Sequence, residues 1–508
     1  MSSNREVEAA WKYHNATKHS HASVRANAHA LDWDNMPTPF KIYPTLEVTR
    51  LPRETLQTGV SALSAIACTG VSVKDAVPDL NRIATLLFLS AGVTKSKKYR
   101  GGETFFRAAA CTGALYEIEL YIVCGDLPGL AAGVYHFGVA EFGLRQLRAG
   151  DYRRLVAAAT GDEDSVLHAP LTIICTGTYW RNAWKYQART YRHFGWDNGT
   201  ITANMTAVAS ALGLPAKVIC GFVDDELNRL LDLDTKREVT FSLVPIGYTK
   251  DVPPQRSPGV ARLDLPLIPF SKTEVDYPVM REMHTTSSLI SSKEVIAWRG
   301  KDRRESRSKP KEKLISLERP QDSELPKDTI EQTILRRGST RQFAQKSISL
   351  SQLSAILDRS TRGIPADFID PAGSQLNEMY LIVNAVEGLG SGAYFYHRGK
   401  RALELLRHGN VRSVAGYLGL EQQLPADASV AVFFLADLGK ILERYGNRGY
   451  RAVHLEAGIL GGKLYLAAYA QRLGASGLTF YDDDVVRFFS PHAEGKSAIF
   501  LVALGKSA

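Results

Sequence analysis

The segment "AWKYQARTYRHFGWDNG" (residues 183–199) recurs in this chain of 508 residues as "LERYGNRGYRAVHLEAG" (residues 442–458). Five positions agree without a gap at an offset of 259: Tyr186, Arg189, Tyr191, Arg192 and Gly199 match Tyr445, Arg448, Tyr450, Arg451 and Gly458. The same offset aligns residues 116–137 with residues 375–396. One offset that holds over such separate stretches predicts that the chain contains the same structural unit twice.

Each copy has the pattern of a mixed unit of strands and helices. "LYIVCG…GVYHF" and "YLIVNA…GAYFY" predict a strand, a Gly-rich turn and a second strand, followed by a buried helix and a last apolar strand. The turn "GLGSG" leads into an aromatic strand, which favours a hairpin over a dinucleotide loop. We predict an α+β fold with a first unit at residues 1–250, a linker at 251–330 rich in charge, Pro and Ser, and a second unit at 331–508.

The net charge of +9 is partly local, because residues 299–313 carry eight basic and three acidic residues. Their Pro and Ser content favours a solvated linker over a nucleic-acid arm. No run of 18 apolar residues occurs, and the N-terminus lacks the apolar region of a secretory signal. We therefore expect neither a nucleic-acid partner nor a membrane partner.

The chain has five cysteines, all in the first copy and without a C-x-x-C spacing. An odd count without paired spacing argues against a disulfide framework or a zinc site. We expect no metal, and this cysteine usage fits the reducing cytoplasm.

The segment "RRGSTRQF" (residues 336–343) opens the second copy and holds Arg337, Ser339 and Arg341 at alternate positions. Two guanidinium groups and a hydroxyl before a predicted helix suit a phosphate, because arginine offers paired donors and a helix N-terminus adds positive potential. The alternative is a solvated basic turn.

This segment resembles the opening signature of the flavin-dependent nitroreductase superfamily, whose Arg-x-Ser-x-Arg holds the phosphate of FMN. The end of the chain is similar to that superfamily as well, through "GASGLTFYDDDVVRFFSP" and "FLVALGK". The resemblance implies FMN as cofactor, with its phosphate held by Arg337, Ser339, Arg341 and Lys506.

The segment "FRAAACTGALYEIELYIV" (residues 106–123) resembles the R-x-A-P-S-x-G-A-L-x-P-x-E-x-Y stretch of the SagB-type dehydrogenases, which oxidise azoline rings in ribosomal peptides. Ala110, Cys111 and Glu117 depart from that pattern. In that family the loop approaches the flavin ring, so the resemblance implies the following flavin contacts: Arg107, Cys111, Thr112, Gly113 and Leu115. A redox role for Cys111 is conceivable, but a small buried thiol is the favoured interpretation.

Lys185 and Tyr186 resemble the Lys-Tyr pair that serves catalysis in the SagB-type family. Removing hydrogen from a C–H bond requires a base for the proton, and a neighbouring cation could lower the pKa of a tyrosine enough for that role. Lys185 could do this for Tyr186, or act itself once desolvated. The alternative is an aromatic and basic helix start that packs on its neighbour. Arg444 replaces the lysine in the second copy.

The two copies are degenerate in complementary ways. The second keeps the arginine motif, whereas Ala67 stands where an offset of 270 would place a counterpart of Arg337. The first keeps the ring loop and the Lys-Tyr pair, and its loop at residues 93–106 is longer by about 11 residues. We predict two fused nitroreductase-like units that form an intramolecular pseudo-dimer, with one composite site and one FMN per chain.

The preferred functional hypothesis is an FMN-dependent oxidoreductase of SagB type, acting on a small-molecule or peptide-derived substrate. One alternative is a nitro or quinone reductase that uses NAD(P)H as electron donor. The other is a degenerate scaffold or binding subunit that has lost its flavin.

Overall fold

A computed structural model describes residues 3–27, 29–70, 75–99, 102–299, 314–369 and 375–508. The basic stretch at 300–313 therefore lies outside the described residues. The described part contains two large antiparallel sheets and one separate hairpin. The strands of the first copy are Thr49–Arg50 (β1), Val93–Tyr99 (β2), Gly102–Arg107 (β3), Ile118–Cys124 (β4), Gly133–Gly138 (β5), Gly143–Ala149 (β6), Leu171–Thr178 (β7) and Glu238–Ile246 (β8).

The first sheet has the order β1-β6-β5-β4-β7-β8, and β2 pairs with β3 in the separate hairpin. The second sheet uses the remaining strands: Leu314–Ser316 (β9), Glu378–Val383 (β10), Gly392–His397 (β11), Ala402–His408 (β12), Val430–Ala436 (β13), Gly474–Leu478 (β14) and Ser497–Gly505 (β15). Its order is β14-β15-β13-β10-β11-β12-β9. The central strand orders β6-β5-β4-β7-β8 and β12-β11-β10-β13-β15 are equivalent, so the sequence repeat is also a repeat of topology.

The predicted hairpins of both copies are confirmed. Tyr121 faces His136 across β4 and β5, and Tyr380 faces Phe395 across β10 and β11. The last apolar strand is also confirmed in both copies, since β8 pairs with β7 and β15 pairs with β13. Apolar segments flanked by Gly-rich turns were therefore sufficient to place these strands.

Helices cover the sheets and fill the space between them. In the first copy they are Glu8–Ala16 (α1), His21–Ala26 (α2), Ala62–Ala67 (α3), Leu80–Ala91 (α4), Arg153–Ala159 (α5), Asp164–Leu167 (α6), Tyr179–Tyr186 (α7), Thr190–Ala211 (α8) and Asp224–Leu230 (α9). The later ones are Pro278–Thr286 (α10), Ser292–Arg299 (α11), Ile330–Arg336 (α12), Leu350–Ser360 (α13), Arg412–Leu418 (α14), Gln423–Asp427 (α15), Leu438–Tyr445 (α16), Arg448–Ala470 (α17) and Asp482–Phe489 (α18). Among the described residues, none of these helices is long and apolar enough to cross a membrane.

Helices α8 and α17 are equivalent in the repeat and pack against each other along their length. A Cβ atom added to Gly199 would lie 2.5 Å from the backbone of Gly458, and one added to Gly195 would lie 2.4 Å from Cβ of His454. Because each residue meets its own counterpart at successive turns, the two helices run side by side in the same direction. Glycine at the closest points lets the two backbones touch.

Two reciprocal ion clusters lock the units together. Asp224 of the first unit accepts hydrogen bonds from Arg448 and Arg451 of the second, each at 2.6 Å. Asp482 of the second unit accepts from Arg192 at 2.7 Å and from Arg189 at 3.1 Å. The repeated arginines of residues 183–199 and 442–458 therefore serve this interface, and all of these side chains are buried.

Each cluster also includes a hydroxyl from a residue that directly follows a short helix. Thr17 Oγ accepts from Arg192 Nε at 3.0 Å, and Ser287 Oγ accepts from Arg451 Nε at 2.7 Å. Each follows a short helix, α1 in one case and α10 in the other. Residues 251–330 thus contain α10, α11 and β9, and they bury Trp298 against Tyr445.

Asp482 offers a direct test of the interface. Burial alone would raise its pKa, but Arg189 and Arg192 outweigh that effect and hold the pKa below its ordinary value. We expect Asp482→Asn to destabilise the chain by about 3–5 kcal/mol, because it leaves two buried guanidinium groups without a counter-charge. The measurement is the midpoint of urea unfolding, followed by tryptophan fluorescence.

Asp483→Asn is the matched control, since its carboxylate is exposed and pairs with Lys18 at the surface. Its expected cost is below about 1 kcal/mol. Equal midpoints for the two variants would contradict the proposed role of the cluster.

Candidate functional site

Arg337 follows the last residue of α12 and reaches from the second unit into the first. Its Nε donates to the carbonyl of Ala108 at 2.8 Å, and its Nη2 donates to the carbonyl of Arg107 at 2.7 Å. The predicted phosphate motif and the predicted ring loop are therefore in contact.

The expectation of a helix N-terminus behind the arginine motif is wrong. Arg337 is the C-cap of α12, and the next helix, α13, begins only at Leu350. The Ser349 hydroxyl caps α13 by accepting from the N–H of Gln352 at 3.1 Å. Any phosphate at this motif would therefore depend on side-chain donors rather than on a helix end.

The other residues of the motif lie at one edge of the second unit. Ser339 Oγ lies 3.3 Å from the hydroxyl of Tyr465, while the side chains of Arg341 and Lys506 are exposed. The backbone of Ala344 donates to the carbonyl of Lys506 at 2.9 Å, which holds the motif beside the end of β15. Two exposed cationic side chains and one hydroxyl thus lie at this edge, a donor set whose chemistry fits a phosphate, whereas Arg337 is buried with Nε and Nη2 directed to carbonyls of the first unit.

The ring loop has a strained backbone between β3 and β4. Gly113 has φ +65°, and Ala114 and Tyr116 both have φ +55°. Backbone strain of this kind concentrates at functional sites. Leu115 is buried, and Arg107 is buried with its guanidinium over the ring of Tyr116 at 4.8 Å.

Arg107 Nε has no hydrogen-bond partner among the described residues, although Nη2 donates to the carbonyl of Pro39. Buried donors in native proteins usually have a partner, so this atom is a donor that a ligand close to the ring loop could engage.

Tyr186 joins this loop from α7. A Cβ atom added to Gly113 would lie 2.8 Å from the Tyr186 hydroxyl, so the tyrosine packs where only glycine leaves room. The ammonium of Lys185 lies 5.4 Å from the centre of the Tyr186 ring, and its side chain is exposed. The structure thus places Tyr186 against the ring loop, whereas Lys185 lies at the solvent-exposed rim of this candidate site.

The expected lowering of the tyrosine pKa is wrong. Burial raises the pKa of Tyr186, and the acidic groups of Asp197, Cys111 and Glu117 raise it further. Arg341 of the second unit opposes this shift. Tyr186 therefore keeps its proton at neutral pH.

The sequence-based reasoning missed Asp197, which completes a buried acidic cluster with Cys111 and Glu117. Cys111 Sγ lies 3.4 Å from a carboxylate oxygen of each acid, and the N–H of Thr112 donates to Asp197 at 2.9 Å. Burial and Glu117 raise the pKa of Asp197. The repeat offered a way to identify Asp197, because Glu456, the residue aligned with it in the second copy, is also acidic.

Cys111 is a neutral thiol in this environment. Burial raises its pKa, and the charges of Asp197 and Glu117 raise it further, which disfavours the reactive thiolate. The thiol sulfur and one carboxylate oxygen from each acid all lie within 4.8 Å of one another. Among the described residues, this is the group of three side chains close enough to hold a metal ion.

A small cavity adjoins this cluster. It measures about 10 Å³ and is lined by Arg107, Cys111, Tyr116, Asp197 and apolar side chains. That volume suits about a single water molecule. The cavity is therefore not itself a pocket for a flavin ring.

The equivalent position in the second unit differs. Glu456 Oε2 accepts from the N–H groups of Leu376 and Asn377 and from Asn377 Nδ2 at 2.7–2.9 Å. Burial raises the pKa of Glu456 to about 7, although these donors oppose the shift. The Tyr445 hydroxyl donates to the carbonyl of Phe368 at 2.9 Å. The counterpart of the ring loop at 370–374 lies outside the described residues.

Glu456 gives a pH-dependent prediction. Its pKa is higher in the folded chain than its ordinary value of 4.5, so its contribution to stability is complete below pH 4.5 and is lost as pH rises through about 7. We expect the wild type to lose about 1–3 kcal/mol of stability between pH 5 and pH 8 relative to Glu456→Gln. Urea unfolding of both proteins across this range measures the difference.

Glu443→Gln, an exposed change on α16, should follow the wild-type pH profile. A Glu456→Gln profile parallel to that of the wild type would contradict the prediction.

Known proteins resemble this chain over both units. A model of the nitroreductase family matches residues 84–248 and 334–506. A crystal structure from Anabaena variabilis, classed by its name as a nitroreductase, is 26% identical, with a TM-score of 0.77 over 98% of this chain and 99% of that chain.

Two further matches are shorter. A Methanocaldococcus jannaschii protein named as a nitroreductase is 25% identical over 168 residues, which are 33% of this chain and 80% of that protein. A Ralstonia eutropha structure with a similar name is 24% identical, with a TM-score of 0.31 over 39% of this chain and 90% of that chain. The family model alone covers more than half of the sequence. The chain therefore belongs to the nitroreductase family and carries the family fold twice.

Proposed function

We propose that this protein is an FMN-dependent oxidoreductase with one flavin site between its two units, which act as an intramolecular pseudo-dimer. The observation that carries the proposal is the contact of Arg337 with the carbonyls of Arg107 and Ala108, because it joins the arginine motif of one unit to the ring loop of the other. Five thiols without disulfide partners suit the cytoplasmic location that belongs to this proposal.

In this proposal the second unit binds the phosphate and the first contacts the ring. Arg337, Ser339, Arg341 and Lys506 supply donors and positive charge for the phosphate. The proposed ring contacts lie between β3 and β4: Arg107, Cys111, Thr112, Gly113 and Leu115. Charge-assisted hydrogen bonds to phosphate are the strongest of these contacts, and arginine can make them in pairs.

When bound, FMN supplies the acceptor or donor of a hydride. The side chains around it handle protons and orient the substrate. Tyr186 is protonated at neutral pH, so it donates a hydrogen bond or a proton rather than accepting one. The pair of Asp197 and Glu117 is the group suited to hold a proton, because the pKa of Asp197 is raised beside a second buried carboxyl. Lys185, at the rim, is placed to contact an incoming substrate.

We propose a SagB-type dehydrogenation of a small-molecule or peptide-derived substrate as the reaction. The Lys-Tyr pair beside the ring loop favours it. A nitro or quinone reductase that takes electrons from NAD(P)H is the alternative enzyme, and it does not require Lys185. A scaffold without flavin is the non-enzymatic alternative.

The reciprocal position is proposed not to bind FMN. Ala67, the last residue of α3, stands in the place of Arg337, and Arg444 stands in the place of Lys185. An arginine does not give up its proton in proteins. The second position therefore lacks both the clamp and a proton-transferring lysine.

The first prediction of this proposal concerns stoichiometry. We expect one FMN per chain after saturation with FMN and gel filtration, measured by the visible spectrum and by quantitation of the flavin released on denaturation. Two FMN per chain would contradict the single composite site. A chain that takes up no FMN would refute both enzyme hypotheses.

Arg341→Ala tests the phosphate site with little risk to the fold, because the side chain is exposed. We expect FMN affinity to fall by about 10- to 100-fold, the cost of losing a charged donor to a phosphate. Fluorescence titration with FMN measures it. Gln342→Ala, the exposed neighbour, should bind FMN like the wild type, and an unchanged affinity in Arg341→Ala would argue against the assignment.

Lys185→Ala separates the two enzyme hypotheses. If the reaction is SagB-type, flavin reduction by a thiazoline-containing peptide should slow by about 10²- to 10⁴-fold, as for loss of a group that assists proton transfer. Stopped-flow absorbance under anaerobic conditions measures it. Arg444→Ala, the same position in the second unit, is the matched control. Undiminished NAD(P)H-dependent quinone reduction by Lys185→Ala would favour the alternative enzyme.

A further inference from the structure

A second concave site lies beside the β2–β3 hairpin in the first unit. It is a groove of about 470 Å³, a volume typical of sites for small ligands. Four phenylalanines dominate its lining together with small apolar side chains and one cation: Phe40, Arg53, Phe88, Val93, Phe105, Val139, Ala140 and Phe142.

The rings form two contacting pairs. Phe40 lies 5.2 Å from Phe105, and Phe88 lies 5.6 Å from Phe142, measured between ring centres. Phe40, Phe88 and Phe105 are only half-buried and line the groove, so part of each side chain is exposed there. Exposed aromatic rings in a groove stabilise apolar or aromatic groups of a ligand.

The charge around the groove is positive on balance. Arg53 is the charged residue of its lining and makes no ion pair with another described residue, whereas Glu141, between two lining residues, is paired with Arg145 and Glu54 follows Arg53 in the chain. The hairpin beside it exposes Lys95, Lys97 and Lys98 against a single acid, Glu103. A ligand that complements this site therefore combines an apolar ring system with a negative group.

Arg107 and the hairpin lie between the groove and the proposed flavin site. The Arg107 guanidinium lies 5.8 Å from the centre of the Phe40 ring and also lines the small cavity beside Cys111. Lys95 of the hairpin donates to the carbonyl of Arg337 at 2.9 Å. The hairpin thus connects the groove to the phosphate motif, and it belongs to the loop that is longer in the first copy.

We propose that this groove binds a small aromatic carboxylate, with its rings among the four phenylalanines and its carboxylate near Arg53. The proposal that the ligand binds depends only on the shape, lining and charge of the groove. That the ligand is the substrate, or carries the group to be oxidised, rests on the proposed function.

The test uses 2-naphthoate and its neutral analogue 2-naphthylmethanol as probes of the purified chain, with isothermal titration calorimetry as readout. We expect naphthoate to bind more tightly than the alcohol. Arg53→Gln should lower the affinity for naphthoate by about three- to fivefold, as for loss of an exposed ion pair, and leave the affinity for the alcohol unchanged. Phe105→Ala should weaken both probes.

Ala140→Trp keeps the test independent of the hairpin fold. Ala140 lies exposed at the edge of the groove, so a large side chain there should fill the space and block both probes without disturbing the core. Phe488→Ala, a half-buried phenylalanine on α18, is the control and should leave both affinities unchanged. Naphthoate affinity that Ala140→Trp and Phe105→Ala both leave unaltered would overturn the proposal.

The Arg341→Ala chain separates the two proposals. It should bind naphthoate like the wild type even if it binds FMN poorly. Normal naphthoate binding by a wild-type chain that takes up no added FMN would refute the proposed function and leave the groove assignment intact.

Discussion

Each unit of this protein buries two arginines that form ion pairs with one aspartate of the other unit. A buried charge without a partner costs several kcal/mol, so neither unit can adopt this arrangement alone without exposing or losing those charges. The two clusters lie at the start of the long helices α8 and α17, whose glycines allow direct backbone contact. Charge pairing and close packing thus fix the relative position of the units, and the proposed flavin site depends on that position.

Much of the architecture was predictable from the sequence. The offset of 259 identified the repeat, and apolar segments on either side of Gly-rich turns placed the hairpins around Tyr121 and Tyr380, because both signals can be read from the sequence itself. The arginines of the repeat were also identified in the sequence. Their role in the interface between the units was not, since the aspartates that pair with them are far away in the sequence. A pattern within one segment cannot reveal a partner in another unit.

The site was predictable only in part. The arginine motif and the ring loop were found, and the structure brings them into contact at Arg337. The protonation of Tyr186 was misjudged, because it depends on burial and on three acidic groups from other segments. Asp197 was overlooked because the aligned residue of the second copy is a glutamate, Glu456, so the position is not an identity in the repeat. The helix expected after Arg341 starts later, because Ser349, and not the arginine motif, provides its N-cap.

Gly199 and Gly458 occupy equivalent positions in the two units and contact each other, yet they belong to one continuous chain. In a homodimer, every substitution appears twice, and a residue must serve both symmetry-related sites at once. Covalent fusion removes that restriction. Lys185 and Arg444 stand at equivalent positions and differ, so a substitution in one unit of this chain leaves the equivalent residue of the other unit free to keep its own role.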